Sequence, residues 1–276
     1  MKTEILSKAK LLTLATQEAV SQKDALLLLA FILKTTYSRL FFKKEFLVSD
    51  LELTCLKSFL SRRGKGEPIA KILQRREFYG AMFKTTRDTL DPRPETELII
   101  DLFREHYLAT QAELQLLDLG AGTGCIGLSL LRYYPNARCC FVDISEKALD
   151  VVKDNAEALG VWEQCSFIKS DWFEDVSGSF DAILSNPPYV ALGYNLDVET
   201  AFDPPVALFA GSDGMSAYAR ILPQAPSFLK PDGLLYLEIG FDQVQKITQI
   251  RTSLQLLKIE KDLAGIPRTC VFQNAK

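Results

Sequence analysis

The sequence predicts an α/β protein: a mostly parallel sheet covered by helices on both faces, preceded by a small helical domain. Three observations carry this. From Glu95 onward, short apolar runs alternate with amphipathic stretches at helical spacing, the pattern of strands joined by crossover helices. A glycine-rich loop follows the first of those runs and opens a helix. Between Ile5 and about Leu60, apolar residues recur at three- and four-residue spacing with neither proline nor glycine, a helical-bundle signature.

The elements follow in order. Ile5, Leu6, Ala9, Leu12 and Leu14 start the bundle, and Leu26 to Leu33 continue it. Gly64-Lys65-Gly66-Glu67-Pro68 breaks it. Ile69 to Leu90 mixes β-branched and aromatic residues around Gly80, which reads as a hairpin bridging two domains. The expected division is therefore 1–65 helical, 66–92 hairpin linker and 93–276 α/β domain. In the last part, a helix is expected over Glu95 to Leu108, a strand over Leu114 to Leu119 and a helix over Cys125 to Tyr133. A strand (Arg138 to Val142), a helix (Ser145 to Leu159) and strands at Ser166 to Lys169 and Asp181 to Leu184 come next. Ser216 to Leu229 reads as a helix interrupted by Pro223 and Pro226. A strand (Leu234 to Ile239), a helix (Asp242 to Ser253) and two short strands close the chain. In such sheets ligands bind outside the carboxyl ends of the strands.

Composition narrows the function. With 47% apolar and 24% charged residues, the 276-residue chain has the balance of an ordinary globular protein. None of its six cysteines forms a C-x-x-C pair, so reduced thiols are expected, with no metal site and no disulfide framework. The longest apolar run, Ala25 to Leu33, is too short to span a bilayer. Met1-Lys2-Thr3-Glu4 has an early acid and no signal-like apolar core, so a cytoplasmic protein is expected. The lone histidine, His106, lies in an amphipathic stretch, which weakens Ser-His-Asp and Cys-His mechanisms. Charge is uneven: residues 1–90 hold 17 Lys+Arg against 9 Asp+Glu, while the remainder holds 15 against 26. Arg62-Arg63 and Arg75-Arg76 are the densest basic points, suited to nucleic acid or an acidic protein.

Two motifs fall at strand ends. Asp118 precedes Gly120-Ala121-Gly122-Thr123-Gly124, and Asp143 ends the second strand 19 residues after Gly124. Glycines let a ligand approach the backbone, and an acid at a second strand's end suits the ribose hydroxyls of an adenosine. Gly122 to Gly127 also satisfies G-x-G-x-x-G, which taken alone suggests a dinucleotide. Asp118, however, would repel a pyrophosphate and attract an ammonium. The loop resembles motif I of class I S-adenosylmethionine (SAM) methyltransferases. That resemblance implies a Rossmann-like, seven-stranded, mostly parallel sheet and SAM as cofactor. Asp171 would accept the adenine amine and Trp172 would pack on the ring, core packing being the alternative for Trp172.

Asn186-Pro187-Pro188-Tyr189 follows the fourth strand. Two prolines cannot continue a central strand, because neither has an N–H for the ladder. The segment resembles motif IV of methyltransferases that alkylate planar nitrogens of adenine, guanine or glutamine. A conjugated nitrogen is a poor nucleophile. Accepting both of its hydrogens in plane, on Asn186 Oδ1 and the Pro187 carbonyl, holds it and favours electron density on nitrogen. Pro188 and Tyr189 would complete the substrate site, Tyr189 covering the planar face. Asn186 also borders the cofactor.

Asp91-Pro92-Arg93-Pro94-Glu95-Thr96-Glu97 resembles the signature preceding the SAM domain of the HemK/PrmC family, glutamine N5-methyltransferases of class I peptide chain release factors. Glu67 to Ile72, Phe78 to Gly80, Phe202 to Leu208, Gly211 to Gly214, Leu237 to Gly240 and Asp262 to Arg268 resemble further family segments. Asp203 stands where Glu is usual and Ala210 where Gly is usual. The resemblance implies that the glutamine of a Gly-Gly-Gln loop is the substrate, that the basic helical domain contacts the release factor, and that Arg93 lies near the site. A structural pair with Glu95 or Glu97 is the alternative for Arg93. A monomer without stable nucleic-acid or membrane partners is expected. A nucleic-acid N-methyltransferase, a catalytically silent SAM-fold module and a nicotinamide oxidoreductase are the alternatives.

Overall fold

The computed structural model describes residues 3–109, 111 and 113–275. Met1 and Lys2, the first residues of the segment read above for a leader, lie outside the described residues. The chain forms two compact units, Met1–Gln74 with Asp197–Phe202, and Arg75–Leu196 with Asp203–Lys276.

The first unit runs β1 (Thr3–Ser7), α1 (Lys8–Gln17), α2 (Gln22–Ile32), α3 (Tyr37–Phe41), β2 (Glu45–Ser49), α4 (Asp50–Gly64) and α5 (Ile69–Leu73). Hydroxyls cap four of its helices: Ser7, Ser21, Thr36 and Ser49 each accept the backbone N–H three residues on. Glu52 returns a bond to Ser49 N–H at 2.7 Å and completes a capping box. The apolar faces of the helices bury Leu11, Leu26, Leu28, Leu29, Leu56 and Leu60 in one core.

This unit is not purely helical. β1 and β2 pair antiparallel, Ile5 opposite Leu47 and Leu6 opposite Phe46. The reason is a period-two pattern too short to stand out: Leu6 is 0% exposed while Ile5 is 65% exposed, and Phe46 and Val48 are buried while Leu47 faces water. Ile69–Leu73, expected as part of a hairpin, is instead helix α5, and the hairpin proper is shorter. Arg62 pairs with Glu67 at 2.5 Å, and Arg63 with Asp24 at 2.8 Å and Glu199 at 2.7 Å, so this basic point is neutralised within the unit.

The second unit begins with the hairpin β3 (Arg75–Phe78) and β4 (Ala81–Lys84). It continues with α6 (Glu97–His106), β5 (Gln115–Leu119), α7 (Cys125–Leu131), β6 (Arg138–Asp143), α8 (Glu146–Leu159), β7 (Cys165–Lys169) and β8 (Phe180–Ser185). Then come α9 (Ser216–Gln224), β9 (Leu229–Glu238), α10 (Val244–Thr248), β10 (Gln255–Lys261) and β11 (Pro267–Gln273). The expected strands appear with small shifts of their ends. Helix α10 is shorter than expected. Pro223 lies inside the last turn of α9, and a separate 3₁₀ turn carries Pro226.

Seven strands form one sheet in the order β10-β11-β9-β8-β5-β6-β7; β5, β6, β7, β8 and β9 pair in parallel, and β11 lies antiparallel between β9 and β10, so β10 again runs in the direction of the parallel strands. From β5 the chain builds outward through β6 and β7, then returns to the other side of β5 as β8. The order therefore reverses between β5 and β8, and a ligand crevice is expected outside their carboxyl ends. One face packs on α6, α7 and α8 through Ile99, Phe103, Leu128, Leu131 and Val152. The other packs on α9 through Tyr218, Ile221 and Leu222.

The third glycine of the G-x-G-x-x-G stretch explains how α7 lies so close to the sheet. A Cβ on Gly127 would come within 2.6 Å of Phe141 and 2.8 Å of Cys139 on β6. Alanine at this helical position would gain about 1 kcal/mol of propensity, against an overpacking cost of about 1–3 kcal/mol. Gly127→Ala is therefore expected to lower stability by up to about 2 kcal/mol in urea unfolding, with α7 displaced from β6.

Candidate active site

The site assembles where β5 and β8 end side by side. Leu117 and Asp118 on β5 pair with Ile183 and Leu184 on β8. One residue on, fully buried Ser185 donates its hydroxyl to the Leu119 carbonyl at 2.7 Å. This bond joins the last residue of each strand, so the glycine loop and Asn186-Pro187-Pro188-Tyr189 start from a common point.

The glycine loop is held from below and from the side. Gly120 and Ala121 donate to the Val142 carbonyl at 2.8 and 2.9 Å. Gly122 N–H reaches Asp143 Oδ2 at 2.9 Å, and Ser145 N–H reaches Asp143 Oδ1 at 2.8 Å. Each Asp143 oxygen keeps a further lone pair for a ligand hydroxyl. Burial raises the Asp143 carboxyl above its usual range, and these two N–H bonds oppose that rise. Gly122 has φ +57°, and a Cβ there would meet only open space, so a ligand can lie directly on the backbone.

Asp118 and Thr123 are nearly fully buried beneath the loop rather than on its open side. Asp118 Oδ2 accepts Gly127 N–H at 2.9 Å. Burial pushes its carboxyl up to about 7; the Gly127 bond works against this and the neighbouring Asp143 adds to it. Below the loop, Asn155 of α8 is 1% exposed. Its amide donates to the Thr123 carbonyl at 2.9 Å and the Lys84 carbonyl at 3.0 Å and accepts Lys84 N–H at 2.6 Å. One buried side chain thus ties the loop to the hairpin.

A cavity of about 330 Å³ opens over this loop, lined among others by Gly120, Asp143, Asp171, Trp172, Pro188 and Arg220. That lies within the range of small-molecule sites. Trp172 has φ +57°, a strained value for a large side chain. It packs partly on the second core and sits by Gly120, so it both fills and walls the cavity. Asp171 Oδ2 is held by Arg220 of α9 at 2.7 Å.

Asn186 and Tyr189 meet a buried acid that the motifs did not mark. Glu238, the last residue of β9, is 1% exposed. Thr96 Oγ1 donates to Glu238 Oε2 at 2.6 Å and accepts from Asn186 Nδ2 at 3.0 Å. The Tyr189 hydroxyl points to Glu238 Oε1 over a long 3.5 Å. Burial keeps the Tyr189 phenol protonated and pushes Glu238 up to about 7. Pro187 is buried and Pro188 half-buried. The Tyr189 carbonyl accepts Gln243 Nε2 at 2.9 Å. Gly214 passes so near that a Cβ there would lie 2.3 Å from that carbonyl. A second cleft, about 470 Å³, is lined by Tyr189, Tyr194, Asp213, Phe241, Gln243 and Arg268, among others.

Arg93 pairs with neither Glu95 nor Glu97. Its guanidinium donates to Asp203 Oδ2 at 2.6 Å, and Asp203 Oδ1 also accepts Asp91 N–H at 3.2 Å. The acids Asp91 and Asp203 are thus buried groups of the frame around Arg93. His106 contacts the Leu102 carbonyl and the Tyr236 hydroxyl, away from the cluster. Glu238, Thr96, Asn155 and Gln243 received no role from the sequence. An apolar strand ending in Leu-Glu-Ile-Gly was the one available signal for Glu238.

Residues 87–202 match the family described as Methyltransferase small domain, and residues 4–73 match the PrmC N-terminal domain. The chain is 36% identical to the release factor glutamine methyltransferase of Agrobacterium fabrum, over 91% of this chain and 90% of the relative. The chain belongs to the release factor glutamine methyltransferase family. It is an S-adenosylmethionine-dependent methyltransferase. A bifunctional methyltransferase of Rickettsia conorii is 34% identical over 91% of this chain, which spans about half (53%) of that longer protein. Among solved structures, the hMettl16 catalytic domain in complex with an RNA hairpin shares the fold, with a TM-score of 0.55 over 78% of this chain and 82% of that one at 12% identity.

Removing the Asn155 amide would leave the buried Thr123 carbonyl without this partner, while the Lys84 groups lie on an exposed residue within reach of water. At about 1–3 kcal/mol for one unsatisfied buried group, Asn155→Ala is expected to cost roughly 1–3 kcal/mol in denaturant unfolding and to weaken SAM binding.

Proposed function

We propose that the protein transfers the methyl group of S-adenosylmethionine to the side-chain amide nitrogen (N5) of a glutamine, in the Gly-Gly-Gln loop of class I peptide chain release factors. The observation that carries this reading is the placement of Asn186-Pro187-Pro188-Tyr189 beside the glycine loop, with the Asn186 amide turned by Thr96 so that Nδ2 is occupied. Its Oδ1 then remains as an acceptor for an incoming N–H. Membership of the family supports glutamine over a nucleobase.

S-adenosylmethionine supplies an electrophilic methyl group and leaves as a neutral thioether. Asp143 accepts the ribose hydroxyls. Asp171 and Trp172 receive the adenine, Asp171 sharing its carboxylate with Arg220. Asp118, beneath the loop, supplies the charge that draws the ammonium. Asn186 Oδ1 and the Pro187 carbonyl accept the two amide hydrogens of the substrate glutamine, and Tyr189 covers its plane and excludes water. Positioning supplies much of the rate, and the nitrogen, strongly acidic once the methyl is on it, gives its proton to water, so no strong base is needed. Residues flanking the glutamine occupy the cleft bounded by Tyr194 and Phe241. Arg93 shapes the site through Asp203 rather than touching substrate.

The first unit serves as the release-factor contact. Arg62 and Arg63 are already paired, so other basic residues of residues 1–90 would meet the substrate. A translation-factor substrate places the reaction in the cytoplasm, with the enzyme a monomer that holds no stable nucleic-acid partner. Among the described residues no helix is long and apolar enough to cross a membrane.

Methyl-labelled SAM incubated with the protein, a release factor and bulk RNA is expected to label the release factor at its Gly-Gly-Gln glutamine. Label on RNA alone would overturn this reading. Asn186→Ala is expected to keep SAM affinity within about twofold while lowering kcat by roughly a hundredfold, the scale for losing one oriented transition-state contact.

Asp118 yields a pH test. Its carboxyl is raised to about 7, so it is neutral below that pH and ionised above it. Attraction for the ammonium is therefore present above about 7 and lost as pH falls through it. SAM affinity measured calorimetrically is expected to drop on acidification, below the range of about 7.7–8.0 where an α-amino group itself titrates. Asp118→Asn is expected to bind more weakly and to flatten that dependence.

A further inference from the structure

We infer that Glu238 is a positioning residue for methyl transfer: acting through Thr96, its carboxylate decides which end of the Asn186 amide faces the acceptor nitrogen. The inference rests on the reading of Asn186 as an acceptor clamp and deepens it.

The argument counts protons. Thr96 Oγ1 lies 2.6 Å from Glu238 Oε2 and 3.0 Å from Asn186 Nδ2. A hydroxyl has one hydrogen to donate. While Glu238 is ionised it can only accept, so the Thr96 proton points to it. Thr96 then has only lone pairs left for Asn186, and the amide must present Nδ2 to Thr96 and Oδ1 to the substrate. If Glu238 is protonated, its own O–H can point to Thr96, and the Thr96 proton turns to Asn186. The favoured amide is then flipped: Oδ1 faces Thr96 and Nδ2 faces the substrate N–H groups, donor against donor. One buried proton thus switches the clamp between holding a planar nitrogen and repelling it. Both Thr96 and Glu238 are nearly fully buried, so water does not readily substitute for either partner.

The surroundings of Glu238 leave this proton finely placed. Glu95, next to Thr96, disfavours the charge, and Arg268 of β11 favours it. Arg268 is itself bound to Asp262 at 2.8 Å. Tyr189 offers its long hydroxyl contact, and Tyr218 of α9 binds the Glu238 main-chain carbonyl at 3.2 Å, not the carboxylate. Cys125, which opens α7, is a buried neutral thiol whose pKa both Asp118 and Glu238 raise. Burial outweighs these and pushes the acid up to about 7.

The test compares wild type with Thr96→Val, Thr96→Ser and Glu238→Gln, using release factor at saturating SAM so that Asp118 drops out. Wild-type kcat is expected to fall on the acid side with one ionisation near 7, where Glu238 titrates. Thr96→Val should lose kcat by roughly tenfold or more, keep SAM affinity within about twofold and show no acid limb. Thr96→Ser should restore both kcat and the limb, and Glu238→Gln should flatten the profile. A Thr96→Val enzyme with wild-type kcat and an intact acid limb would overturn the inference. A second readout needs no methyl acceptor: the side-chain amide signals of ¹⁵N-labelled Asn186 should shift with the Glu238 titration in wild type and stay fixed in Thr96→Val. Asn186 signals unmoved by pH in wild type would also overturn it. If wild type labels no release factor, the proposed substrate falls, while this titration still decides the positioning role.

Discussion

The structure depends on the parallel pairing of β5 with β8. Because chain order reverses between these strands, the loops that leave their carboxyl ends diverge to opposite faces and leave a crevice. The Ser185 hydroxyl bond to the Leu119 carbonyl fastens the two ends together at the sheet's last rung. Gly120 to Gly124, Asp143 and Asp171 leave from β5 and its outward neighbours, and Asn186 to Tyr189 and Glu238 leave from β8 and β9. The proposed donor and acceptor sites therefore lie on either side of this one rung.

Buried carboxyls distinguish this crevice from an ordinary strand end. Asp118, one residue before the end of β5, and Glu238, the last residue of β9, lie on either side of the motif strand, and burial raises both carboxyls to about 7. Each acts through an intermediary: Asp118 through the Gly127 amide and the loop above it, Glu238 through Thr96. Charge this deep is costly, and cores seldom keep it unpaired. Its presence here, tied to the glycine loop and to the tetrapeptide, is what makes this crevice the candidate site.

Supporting bonds turn loops into fixed surfaces. Asn155 holds the glycine loop from α8, and Gln243 holds the exit of the tetrapeptide from the turn before α10. Gln243 is in turn fixed by Gly240 N–H and by the Tyr218 hydroxyl. In the first unit, hydroxyl caps and the Arg63 pairs with Asp24 and Glu199 do similar work, consuming charge that composition alone assigned to a partner surface.

Much of this was legible in the chain because it rests on local chemistry. Alternating apolar runs determined the parallel sheet, the prolines at 187 and 188 determined where β8 stops, and the glycines at 120, 122 and 124 determined the turn between β5 and α7. What only the tertiary structure decided involves partners distant in sequence. Thr96 and Glu238 are 142 residues apart, and Arg93 and Asp203 are 110 apart. No local period or motif announces such pairs, so Arg93 looked to its neighbours Glu95 and Glu97. The strands β1 and β2 were hidden for a related reason, since five residues of alternation cannot compete with a surrounding helical period. The tetrapeptide Asn186 to Tyr189 was legible because its prolines act on their own backbone; the buried acid that reaches its amide through Thr96 was not, because only folding brings Glu238 there.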